Sequence, residues 1–250
     1  MRTSSTAGPR RRGPRLAVAV AAAALAVPAG AAPVSAGAAG AGRALGYAPV
    51  SGQLADSVWG GYVATGSGFR SIVGSWIEPT VSCTSSSNLF APWVGIDGYG
   101  SSTVEQVGAE VSCASGSPRY RAWYEMYPAN PVYLATATHP VHAGDSFTGT
   151  VTTAGNGSYT LTLKDNTQGW SYRTTKQLGA QNVSAEAIIE SPSHSYPRFS
   201  SCSFSGITVN GRVLDSYNPI GLSSGATGPR RCPTARSRWF REAGGPAGRG

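Results

Sequence analysis

The 250-residue chain has only two lysines, Lys164 and Lys176, and only 13% of its residues are charged. Set beside 33 glycines and abundant serine and threonine, that scarcity argues against long, salt-bridged helices and favours strands and turns. No stretch shows a convincing apolar helical stripe of several turns, and no internal repeat is evident. Histidine is also sparse. His139, His142 and His194 lack H-E-x-x-H spacing, which disfavours metal hydrolysis, and "HPVH" reads as a turn. Cys83, Cys113, Cys202 and Cys232 include no C-x-x-C pair, which weakens zinc and thioredoxin-type readings. One G-x-S-x-G match, "GLSSG" at 221–225, follows no strand–turn–helix pattern and is a chance match.

The apolar run "LAVAVAAAALAV" is too short to span a bilayer. It follows the positive "MRTSSTAGPRRRGPR" and precedes small residues ending at Ala36, which predicts a secretory signal peptide over 1–36. The mature protein is therefore expected to be extracellular, with no stable membrane association. Residues 37–55 read as a linker or short propeptide, and 56–224 as the folded domain. An atypical basic tail, rich in Gly, Pro and Arg, occupies 225–250. It reads as disordered, or as a departure of the reading frame that replaces a last strand. The formal charge of +8 belongs to the ends, because between 37 and 228 nine basic residues face eleven acidic ones. A nucleic-acid partner therefore loses its electrostatic basis. Cysteines in an exported chain favour disulfides, and Cys83 and Cys113, which flank one glycine-containing segment, are expected to bridge.

What the sequence does contain is alternation. Period-two runs occupy 69–81, 90–98, 102–112, 120–128, 145–155, 158–166, 184–192 and 203–211, with Gly, Pro, Asn and Ser turns between them. This predicts an all-β antiparallel sandwich of two packed sheets. Asn156-Gly157 marks a hairpin.

Strand parity groups the polar residues. In "YRAWYEMYP", Arg121, Trp123, Glu125 and Tyr127 share a face; in "AEAIIE", Glu186, Ile188 and Glu190 do; in "WVGIDG", Trp93, Gly95 and Asp97 do. Gln106 lies on the face of Val104 and Gly108. Each face taken singly could simply meet water. Taken together, they predict a polar groove floored by aromatic rings. Within it a carboxylate can act as a general base toward water, and a carboxamide can donate to a developing oxyanion. Two carboxylates could instead serve glycoside cleavage, or the groove could bind carbohydrate without catalysis.

From "VWGGYV" through "WVGIDG", "VEQVG" and "AWYEMYP" to "AEAIIE", the chain resembles the eqolisins, or glutamic endopeptidases. These are secreted proteases most active in acid and insensitive to pepstatin. The resemblance covers roughly 58–211, with the segments in the family's order. It implies a lectin-like β-sandwich and a catalytic pair at Gln106 and Glu190. It further implies that Trp93, Asp97, Trp123, Glu125 and Glu186 line or support the site. A single carboxylate with a neutral partner needs neither metal nor cofactor. Protein or peptide substrates and a monomeric enzyme are the corresponding expectations. The short 37–55 segment leaves zymogen control open.

Overall fold

The computed structural model describes residues 58–224 and 226, so the predicted signal peptide, the 37–55 segment and the tail lie outside the described residues. β-Branched and aromatic residues at alternate positions dictate the strands, and the turn residues between them fold successive strands antiparallel. A seven-stranded sheet runs in the order β15 (Ile220–Leu222), β1 (Trp59–Thr65), β11 (Ser184–Glu190), β4 (Leu89–Ile96), β5 (Val104–Ser112), β6 (Arg119–Tyr127), β7 (Val132–Tyr133). A six-stranded sheet runs β10 (Trp170–Gln177), β9 (Ser158–Asp165), β8 (Ser146–Thr153), β2 (Ser71–Ile77), β13 (Phe204–Val209), β14 (Arg212–Val213). β12 (Arg198–Phe199) pairs with β3 (Val81–Ser82) as a small separate ribbon. Every pairing is antiparallel. The architecture is thus the predicted sandwich.

The main core fills the space between the sheets. Val94, Val107, Ala122, Tyr124 and Ala187 of the seven-stranded sheet meet Ile72, Trp76, Phe147, Leu161 and Leu163 of the other. Their opposite-parity neighbours Trp59, Val63, Ala91, Trp93, Val104, Trp123 and Ile188 form a second apolar cluster on the outer face of the seven-stranded sheet. β8 and β9 alternate buried with half-buried positions, as a sheet with one solvated face should, whereas β4 and β5 are buried almost throughout. That second buried face is where the polar residues sit.

Each of the eight expected runs contains a strand. Two long strands lie outside the alternating runs, β1 and β10: β10's "WSYRTTKQ" is polar, and as the edge of its sheet it keeps only Trp170, Tyr172 and Thr174 half-buried. The Asn156 hairpin exists, but as a longer loop between Thr153 and Ser158, with positive φ at Gly155 and Gly157 rather than at Asn156. Cys83 and Cys113 are bridged, with Cα atoms 5.7 Å apart. The "HPVH" segment is irregular, and His139 packs edge-on against Trp170 and Tyr172. Among the described residues no helix is long and apolar enough to cross a membrane.

Candidate active site

Register decides which side chains meet across the outer face. Val63, Glu186, Gly95, Gln106 and Glu125 lie side by side on β1, β11, β4, β5 and β6. One step along the strands comes a row of Gly61, Ile188, Trp93, Gly108, Trp123 and Tyr133. A further step brings Trp59, Glu190 and Ala91, and on the neighbouring strands Glu110 opposite Arg121. Gly108 lets the two central indoles close over the sheet. A Cβ there would strike the Pro92 carbonyl, and would lie 2.7 Å from Trp93 Cβ and 3.0 Å from Trp123 Cζ2. No side chain fits.

Two polar groups anchor the site. Trp93 Nε1 donates to Glu190 Oε2 at 3.0 Å, and the Trp59 ring packs edge-on to Trp93 with centroids 4.8 Å apart. Gln106 Nε2 donates to Glu125 Oε2 at 2.5 Å. Gln106, Glu125, Glu190, Trp93 and Trp123 are all buried. Burial pushes Glu190 up to about 8 against the indole hydrogen bonds of Trp93 and Trp59. Glu125 is pushed up to about 9, first by burial and then by the charge of Glu190, against the Gln106 hydrogen bond. The site thus pairs one buried carboxyl that fixes a carboxamide with a second that is fixed by indoles.

Of the predicted residues, Trp93, Gln106, Trp123, Glu125 and Glu190 share the central rows. Glu186 lies in the row of Gln106 and Glu125, separated from Gln106 by Gly95, and Asp97 follows the end of β4 beside it. Asp97, at φ 66°, accepts the backbone N–H groups of Gln181, Asn182 and Val183 at 3.1, 2.7 and 2.7 Å. It ties the approach to β11 onto the end of β4, and so supports the strand that carries Glu190. Glu186 accepts from Ser184 Oγ at 3.2 Å, and burial followed by the Asp97 charge raises its proton affinity. Two residues of the site face were not picked out from sequence. Trp59 was quoted within "VWGGYV", but only the β1–β11 pairing shows that it stands beside Glu190. Glu110 shares parity with Gln106 and could have been found by the same count. Among the described residues no group of three or more His, Cys, Asp or Glu side chains is arranged to hold a metal ion.

The arrangement has known counterparts. The profile of the peptidase A4 family matches residues 57–225. Aspergillopepsin-2 from Aspergillus niger is 30% identical over 158 residues, 54% of this chain and 55% of that protein. Scytalidopepsin B from Scytalidium lignicola is 32% identical over 154 residues, 60% of this chain and 57% of that protein. The chain therefore spans little more than half the length of these curated relatives. Crystal structures of scytalido-glutamic peptidase with a transition-state analogue inhibitor, and of an eqolisin, SCP-B, with the tripeptide Ala-Ile-His, superpose with TM-scores of 0.59 and 0.53. Their identities are 26% and 25%, and the matches cover 67% of this chain and 88% and 87% of those chains. With its profile matched across the whole described sandwich, the chain belongs to the peptidase A4, or eqolisin, family.

Proposed function

We propose that this protein is a secreted, acid-acting endopeptidase of the glutamic type, with Glu190 as general base and Gln106 as oxyanion donor. The observation that carries the reading is the division of labour between two buried carboxyls. Glu125 holds the Gln106 amide at 2.5 Å, while Trp93 holds Glu190 by one carboxyl oxygen, Oε2.

The chemistry follows from those contacts. Glu190 Oε1, ionised, takes a proton from a water molecule as its oxygen attacks the scissile carbonyl carbon. The carbonyl oxygen becomes an oxyanion, and the second N–H of the Gln106 amide donates to it. The Glu190 proton then passes to the departing amine nitrogen, the C–N bond breaks, and the carboxyl is ionised again. In the closed site Glu190 holds its proton up to about 8. A water donating to Oε1 supplies a hydrogen bond to the ionised form and brings that value down. Burial and the nearby Glu190 raise the proton affinity of Glu125, which favours its neutral form beside the oxyanion. A non-catalytic or carbohydrate-binding sandwich would gain nothing from a carboxamide held by one buried carboxyl on the same face as a second, whose burial costs free energy.

The test is to incubate the purified secreted protein with a denatured protein at acid pH, with pepstatin and a metal chelator present. Cleavage undiminished by either addition is expected. Failure to cleave would overturn the proposal.

A further inference from the structure

The outer face changes sign toward the start of β6. Glu110 and Arg121 are paired across β5 and β6, and Arg121 Nε donates to Glu110 Oε1 at 2.6 Å. The guanidinium lies 3.5 Å from the centre of the Tyr133 ring, and Tyr133 Oη donates to Glu110 Oε2 at 3.2 Å. Glu110 is wholly buried, whereas the Arg121 side chain is 38% exposed and Tyr133 is 37% exposed. Solvent thus reaches the site face at the arginine. Only Nε–H is committed to Glu110; the four N–H groups of Nη1 and Nη2 have no hydrogen-bond partner among the described residues. Stacked on one ring and hydrogen-bonded at one edge, the fork is held in place with its other edge unoccupied. An arginine so fixed suits a planar carboxylate and loses little side-chain freedom on binding it. Arg119, two residues earlier on the same face, is exposed and adds a second positive charge.

Arg121 belongs to the same surface as the catalytic pair. The antiparallel register that matches Phe90 with Val111 and Trp93 with Gly108 sets Ala91 opposite Glu110. A continuous cross-strand row therefore leads from Glu190 through the small Ala91 to Glu110 and Arg121. Its three strand spacings amount to roughly 14 Å, about four residues of an extended peptide. Between Arg121 and Glu125 lies Trp123, buried, with an indole N–H that has no hydrogen-bond partner among the described residues. It is a donor placed for a peptide carbonyl.

We infer that Arg121 is a specificity-determining residue: it selects peptides that carry a carboxylate about four residues from the bond cleaved. The inference rests on the peptidase reading and deepens it. Two sources share this chemistry, the side chain of Asp or Glu and the carboxylate that ends a chain.

The experiment uses matched peptides around one cleaved bond. Glu replaces Gln singly at each of the five positions on either side, and each peptide is made as free acid and as amide. Cleavage is read as kcat/KM on the wild-type protein. Binding is read separately on Glu190→Gln, without turnover. One position, or the free terminus at one length, is expected to gain roughly tenfold or more in both readings, the scale of a charge-assisted pair. In the Arg121→Met/Glu110→Gln double variant, which leaves no unpaired buried charge, that ratio falls to about one. A gain confined to Glu-containing peptides identifies the side chain, and one confined to free acids identifies the chain end; either supports the site. Ratios near one throughout in the wild-type protein, with the neutral peptides still cleaved, overturn the inference and leave the peptidase reading standing. Discrimination in binding with no cleavage of any peptide keeps the site and overturns the peptidase reading. A ratio that survives in the double variant also overturns the role of Arg121.

Discussion

Glu190 is governed by its neighbours more than by its own chemistry. Its carboxyl lies in a dry setting that opposes ionisation, and the indole N–H groups of Trp93 and Trp59 oppose that effect. Replacing Trp93 by Phe keeps most of the ring and removes the donor. A hydrogen bond to a charged group is worth about 1.5–3 kcal/mol, so kcat/KM is expected to fall roughly tenfold to a hundredfold. The sign of the accompanying shift is fixed: the indole lowers the proton affinity of Glu190, so its loss raises it. The acid limb of the pH–rate profile therefore moves to higher pH in Trp93→Phe. An unshifted limb would mean that the indole matters only for packing. At this scale the sequence was informative. The resemblance of the motifs named Gln106 and Glu190 together, and the register sets both on the same face of the seven-stranded sheet. Trp59 was not so named, because its relation to Glu190 exists only through a pairing between strands more than a hundred residues apart.

Among the elements, β4, β5, β6 and β11 carry the candidate site, and their central residues are buried on both faces. Gly108 makes this possible, since its missing side chain is the space in which Trp93 and Trp123 meet. Gly108→Ala forces a methyl group against the Pro92 carbonyl and the Trp93 Cβ. Such overpacking costs about 1–3 kcal/mol, which a lower urea midpoint would report. Activity is expected to fall further than stability, because Trp93 must shift away from Glu190. A variant of wild-type stability and activity would show that the strands absorb the methyl group without moving the indole. Alternation marked the strands whose two faces differ, β8 and β9 most clearly. It missed β10, whose edge position removes the demand for a fully apolar inner face, β1, whose Gly60-Gly61 pair interrupts the period, and the strands of two or three residues, β3, β7, β12, β14 and β15, which are too short to show one.

Across the whole molecule, carboxyls are buried far beyond the needs of a catalytic pair. Glu78 and Glu105 are pushed up to about 8 by burial, as is Glu190, with Glu125 at about 9, and Glu110 and Glu186 are raised as well. Glu78 feels the charges of Asp145, Glu110 and Asp165, and Glu105 points away from Gln106 toward the inter-sheet core. The linkage has one direction. A carboxyl whose folded pKa lies above the unfolded value of 4.5 stabilises the fold fully below 4.5. That contribution is lost as pH rises through about 8. Stability in urea is therefore expected to be greatest in acid, and the midpoint to fall steadily between pH 4.5 and 8. A midpoint that rose over this range would contradict the burial of these groups. None of this was legible in the sequence. The acidic residues could be counted, but which of them the two sheets enclose depends on packing that no local pattern records.

The central claim, that Glu190 and Gln106 act as one catalytic unit, is tested most directly by a double-mutant cycle on peptide cleavage at acid pH. Gln106→Ala, Glu190→Gln and the combined variant are compared by kcat/KM, with circular dichroism confirming that each is folded. Residues that act as a unit are not additive. Each single change is expected to cost roughly a thousandfold or more, and the double change little beyond the worse single. Near-wild-type cleavage by either folded single variant, or losses that simply multiply in the double, would contradict the account.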